Sequence, residues 1–248
     1  MNMRSSAERS LKVSQGRFFR AAIFTLILAL PLSACGPSEP RQRQAFIDFL
    51  KARILNKPGI HLPVPTTEER KSWGPYAVQF DVIADFNHEL DKISRVTFGD
   101  FSSLAANART IGSLAGHRSE IVQVRDAAGA FPDDIKRQLE VANAARAAFP
   151  PQPNDLKAVY DAAYERDVSA AAFWIEAMPA LQQAMTSYLA LIDFLEQHKG
   201  SVTVEGPMVS ASDPKLMPRL TELMKAMNDN AAKCNALFAK AQKLVHGQ

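Results

Sequence analysis

The stretch PKLMPRLTELMKAMNDNAAKCNALFAKAQKLV, from Pro214 to Val245, decides the fold. Its apolar residues Leu220, Met224, Met227, Ala231, Cys234, Phe238, Ala241 and Val245 recur at alternating spacings of four and three. That is more than three heptads on one face, the pattern of a helix packed lengthwise in a bundle. The helix is expected to begin near Pro214 or Pro218, because proline is tolerated only in the first helical turn. Working backwards, Val202 to Val204 and Met208 to Ser210 flank Gly206-Pro207 and read as a small β-hairpin, the sole strand material in the chain. Before it lies a stripe of Leu181, Met185, Tyr188, Ile192 and Leu195, expected to start at Pro179 and end at Gly200.

The same reading continues towards the N-terminus. Pro150, Pro151 and Pro153 break the chain, and Asn154 or Asp155 is placed to cap a helix carrying Leu156, Val159, Tyr160 and Ala163. Upstream, one helix is expected from about Phe101 to Ala128, closed by Gly129 and Pro132, with a further helix after Asp133 and Asp134 running to about Phe149. Tyr76, Phe80, Ile83, Leu90 and Ile93 form the stripe of an earlier helix that Gly99 should end. Thr66 and Glu69 have capping-box spacing, and Gly74-Pro75 should kink the chain behind them. Phe46, Ile47, Leu50, Ile54 and Leu55 make the first helical face, which should stop by Asn56 ahead of Pro58. The expected fold is all-α: an elongated antiparallel bundle of about six helices, forming a single helical domain over 44–248 with one hairpin near 201–210.

The first 34 residues read differently. Arg4, Arg9, Lys12, Arg17 and Arg20 stand against one acid, Glu8, and precede an apolar run from Ala21 to Leu32 interrupted by Thr25. Twelve helical residues span about 18 Å, well short of the roughly 30 Å of membrane hydrocarbon. The segment 1–34 is therefore expected to be a signal peptide. It closes on Leu32-Ser33-Ala34-Cys35-Gly36, which resembles the lipobox of bacterial lipoproteins. That resemblance implies a diacylglyceryl thioether on Cys35, cleavage before it and acylation of the new amine, with palmitate as the acyl label. Residues 35–43 then read as the lipidated cysteine and a polar tether. Since Gly36 is not the aspartate of inner-membrane retention, the resemblance implies the periplasmic leaflet of the outer membrane.

Cleavage at Cys35 changes the charge. The 248-residue chain carries a formal +3, but the leader removes five basic and one acidic side chain, leaving −1. Bulk charge then gives no support for nucleic-acid binding, and none is expected. With Cys35 acylated, Cys234 stands alone and is expected to be a core thiol rather than half of a disulfide.

Gln44-Ala45-Phe46-Ile47-Asp48-Phe49-Leu50, Leu62-Pro63, Gly74-Pro75-Tyr76 and Asp155-Leu156-Lys157-Ala158-Val159-Tyr160-Asp161, all downstream of the lipobox, are similar to the YiaF-like family of uncharacterised bacterial lipoproteins. The similarity covers most of the mature chain. It implies no catalytic residues.

The chemistry-bearing motifs are few. The chain has no Cys-x-x-Cys, His-Glu-x-x-His, Gly-x-Ser-x-Gly or phosphate-cradling glycine loop, so no enzyme activity and no cofactor is expected. Asp81, Asp85 and His88 are ligand types at helical spacing, but they fall opposite the apolar stripe, so no metal site is expected. Arg118 and Arg125 are the sharper feature, because they fall inside the stripe set by Leu104, Ile111, Leu114 and Val122. A buried unpaired charge costs several kcal/mol, which leaves two accounts. Either the arginines reach the rim or pair with acids such as Asp161 or Glu165, or they line an anion-binding groove between helices. Two functional classes follow. One is a non-enzymatic, lipid-anchored envelope protein that interacts with other proteins or maintains envelope organisation; the other is a binding module for a small anionic or amphipathic ligand held between helices.

Overall fold

The computed structural model describes residues 37–107, 110–205 and 208–247. Residues 1–36, which include the expected signal peptide and Leu32, Ser33, Ala34, Cys35 and Gly36, lie outside the described residues, as do Gly206 and Pro207. Among the described residues there are eight α-helices and a two-stranded antiparallel sheet. No described helix is long and apolar enough to cross a membrane.

Helix α1 (Glu39–Phe49) begins four residues after Cys35, so most of the expected tether is helix. Pro40 falls in its first turn, where the missing N–H leaves no intrahelical bond unmade. The helix runs on through a π-helical stretch, Leu50–Leu55, and stops at Asn56 as its Pro58-Gly59 sequel requires. Short α2 (Thr67–Ser72) starts with the expected capping box: the Glu69 amide donates to the Thr66 hydroxyl at 3.1 Å, and the Thr66 amide to the Glu69 carboxylate at 2.7 Å. Gly74–Tyr76 then forms a single 3-10 turn. Around it Trp73, 1 % exposed, sits among Phe46, Phe49 and Phe80 with ring centroids 4.6–5.5 Å apart.

Four long helices carry the bundle: α3 (Ala77–Asn107), α5 (Arg118–Ala147), α7 (Ala172–Gln197) and α8 (Met217–His246). Each packs on the next in this order. The pairs are antiparallel: Phe98 meets Phe131 while the earlier Phe86 lies by the later Ala142, Arg118 meets Asp193 while Gly129 meets Gln182, and Trp174 meets Phe238 while Ser187 meets Asn230. Short α4 (Ile111–Ala115) stands between α3 and α5, and α6 (Asn154–Asp167) follows the proline break and packs on the end of the first helix. Strands β1 (Val202–Glu205) and β2 (Met208–Ala211) pair with Val202 opposite Ala211 and Glu205 opposite Met208. Their inward residues Val202, Val204, Val209 and Ala211 cover a cluster of Leu191, Phe194, Leu195, Leu220, Leu223 and Met227.

Several expected breaks are not breaks. Gly99 lies inside α3, Pro132 inside α5 and Pro179 inside α7. A helix-interior proline costs about 3 kcal/mol, but buried neighbours on both sides override it: Phe131 and Ile135 in α5, Met178 and Leu181 in α7. Gly129, expected as a terminator, is where α5 and α7 approach; a Cβ there would collide with the Gln182 amide. Conversely, the helix expected over 101–128 is interrupted, with Thr110 and Ser113 capping α4 and His117 preceding α5. Asn154 and Asp155 make no side-chain cap on α6, whose N-cap is Pro153.

Candidate functional site

The interruption before α5 resets the helical phase, and this is why the arginine expectation needs correcting. The buried stripe of α5 is Ile121, Val124, Ala128, Phe131, Ile135 and Ala142. Arg118 and Arg125 lie beside it, not in it. Arg118 donates through Nε and Nη2 to Asp193 of α7 at 3.0 and 2.8 Å, with both side chains about half exposed. Arg125 pairs with its neighbour Asp126 at 2.7 Å. Arg118 thus pairs with an acid of a neighbouring helix, as one account expected, through Asp193 rather than Asp161 or Glu165. His117 sits 3.5 Å from Glu120.

An apolar cavity of about 170 Å³ lies nearby, lined by Leu104, Ile121, Leu181, Met185, Tyr188 and Cys234. Neither arginine reaches it. Cys234 is buried, and burial pushes its thiol pKa up, holding it as an unreactive core thiol. On the outer face, Met217, Leu220 and Met224 form a shallow groove with Val209 of the hairpin, while Met227 is core. Asp81 is taken by Arg70 at 2.7 Å. Among the described residues no three metal-ligating side chains converge.

The side chains that do converge are at the corner between α5 and α6. Asp161 accepts from Arg146 Nη2 at 2.7 Å and from Lys157 one turn earlier on its own helix. Burial alone would push the Asp161 pKa up, but the Lys157 and Arg146 hydrogen bonds together hold it below the usual carboxylate range. The Arg146 guanidinium also lies 4.5 Å from the Tyr164 ring centroid, and the Tyr164 hydroxyl donates to Asn143 Oδ1 at 3.0 Å. Pro150, Pro151, Gln152 and Tyr160 join Arg146, Lys157 and Asp161 in lining a cleft of about 350 Å³. Gln152 Oε1 is buried and accepts no hydrogen bond. Sequence reasoning treated Pro150 to Pro153 as a break alone. The signal for more was there: a rigid proline corner flanked by Arg146 and by the i,i+4 pair Lys157–Asp161.

The far end of α6 is closed. Arg166 donates to the carbonyls of Leu55, Lys57 and Gly59, satisfying acceptors that the end of the first helix leaves open. Gly59, at φ +73°, lies against the backbone of Val245 and His246, and Ile60 N donates to Val245 O at 3.0 Å. A side chain at 59 would be strained by the positive φ and would overlap that backbone. Asp167 is 2 % exposed, and neither carboxylate oxygen has a hydrogen-bond partner. Burial raises its pKa to about 7.

This all-helical bundle with one hairpin defines a class of small helical domain, and comparison with known proteins gives the family. Residues 23–245 match the family described as a protein of unknown function, DUF3053. The chain belongs to that family. It is 24 % identical over 191 residues to the uncharacterised protein YiaF of Escherichia coli strain K12, covering 77 % of this chain and 80 % of the relative. Proteins of the same description from E. coli O157:H7 and Shigella flexneri match to the same extent. No solved structure matches.

Proposed function

We propose that the protein is a lipid-anchored, non-enzymatic domain of the bacterial cell envelope that works by interaction with other envelope proteins. One observation carries the reading: a basic segment, a twelve-residue apolar run and Leu32-Ser33-Ala34-Cys35 follow one another in the order that processing and lipidation require. The family match begins at residue 23, so the cysteine and much of the apolar run fall within the region shared with the family. Anchoring would place the three acyl chains in the periplasmic leaflet of the outer membrane. Multiple chains hold a protein there stably, where one would not.

The interaction half of the reading is supported by the shallow groove at Val209, Met217 and Met224, where Met217 is 41 % exposed beside Thr221 and Lys225. The binding-module alternative with Arg118 and Arg125 loses its support, since both arginines are engaged by aspartates on the surface. Metabolic labelling with palmitate tests the anchor. Wild-type chain incorporates the label and fractionates with membranes; Cys35→Ser accumulates as an uncleaved, unlabelled precursor. Continued labelling of Cys35→Ser would overturn the assignment.

A further inference from the structure

Resting on the anchored reading, the geometry points to the cleft between α5 and α6 as a binding site for a phosphoethanolamine headgroup of the bilayer lipid. Arg146 and Lys157 share one carboxylate, Asp161, so the pocket has one positive charge in excess. A guanidinium has five N–H donors and an ammonium three, and most of these are left for a further acceptor of phosphate type. Gln152 Oε1 is the complementary feature. It is a buried acceptor with no donor, which costs about 1–3 kcal/mol unless a ligand supplies one. A group that is anionic at one end and carries N–H donors at the other satisfies both sides, with the spare lone pairs of Asp161 available to the same ammonium. At about 350 Å³ the cleft is near the lower limit of small-molecule sites, the size of a headgroup and not of an acyl chain.

Covalent reach supplies the second strand. Arg43 of α1 stands 3.6 Å from Asp155, two residues before Lys157, and Tyr76 donates to Glu39 in the first turn of α1. The beginnings of α1 and α6 are therefore side by side. Glu39 is four positions after Cys35, at most about 15 Å of chain, and the helical rise from Glu39 to Arg43 adds about 6 Å. A lipid on Cys35 would therefore hold bilayer lipid at high local concentration around the domain that carries the cleft.

The test is a native mass spectrometry titration of the full chain in non-ionic detergent with short-chain phosphatidylethanolamine, phosphatidylcholine and phosphatidylglycerol. Soluble phosphoethanolamine and inorganic phosphate serve as competitors. The phosphatidylethanolamine affinity should exceed that for phosphatidylcholine by about tenfold, because a trimethylated ammonium has no N–H for Gln152. Lys157→Gln should weaken it about tenfold with an unchanged melting curve, Gln152→Leu should weaken it as much without lowering the melting temperature, and Arg146→Lys should weaken it while keeping the charge. Equal affinity for phosphatidylcholine, tighter binding of phosphatidylglycerol, or indifference to these substitutions would overturn the site. Free phosphoethanolamine binding as tightly as the lipid would overturn the membrane source, and phosphate competing equally well would overturn the need for the ammonium. The titration is repeated with Cys35→Ser, which should still bind in micelles. Loss of cleft binding with palmitate labelling intact thus removes the cleft proposal alone, and labelling of Cys35→Ser removes the anchor alone.

Discussion

The two ends of α6 use similar residues in opposite ways. At its start, Lys157 and Asp161 meet Arg146 beside an open cleft, and the carboxylate is held ionised by two cations. At its end, Arg166 directs its whole guanidinium at backbone carbonyls of another segment, while adjacent Asp167 is sealed in the core with no partner. One end is built of charges that satisfy each other and face outward. The other closes the structure, and its cost falls on one carboxyl group. The comparison teaches that a charged residue's role follows from what it packs against, not from its place in an apolar stripe.

The sealed end should give the largest response to substitution. Arg166→Ala removes the donors to three carbonyls that join the first helix, the Lys57–Gly59 loop and α6; a loss of about 2–4 kcal/mol is expected, read from urea unfolding. Asp167→Asn should move stability in the opposite direction. Below the ordinary aspartate value of 3.8 both the native and unfolded states hold the proton, and ionisation costs nothing. Between about pH 4 and 7 the unfolded chain releases it while the native state keeps it, so stability falls as pH rises, and above about 7 the penalty is constant. Three pH units correspond to a ceiling of about 4 kcal/mol, and the amide itself lacks partners, so a gain of about 1–3 kcal/mol at pH 7.5 is expected. The gain should shrink towards pH 4, and a pH-independent difference between Asp167→Asn and wild type would contradict the buried carboxyl account.

At the open end the effect is smaller. Asp161→Ala frees Arg146 and Lys157, both partly solvated, and should cost about 1 kcal/mol. The smallest effect belongs to the residue that the sequence made most conspicuous. Asp193→Ala, which releases the exposed Arg118, should leave the urea midpoint unchanged within error. A loss there exceeding that of Asp161→Ala would reverse the ranking of the two sites.

Periodicity made the last helix, the hairpin and the Thr66 capping box legible, because each depends on residues close in sequence. The helix boundaries at Gly99, Pro132 and Pro179 were not, since local breakers were outweighed by Phe131, Ile135, Met178 and Leu181 packing across helices. The opposite error misplaced Arg118 and Arg125, for the stripe expected to contain them ran through the interruption at Thr110. The cleft at the α5–α6 corner depends on residues brought together by a proline turn. Arg146 to Asp161 is fifteen residues apart, beyond any helical period.

The central claim, anchoring through Cys35, is tested most directly by intact-mass and N-terminal analysis of the chain extracted from membranes. The account predicts a protein that begins at Cys35 and carries the added mass of a diacylglyceryl group and an N-linked acyl chain. A chain that retains residues 1–34, or one cleaved elsewhere with an unmodified Cys35, would contradict it.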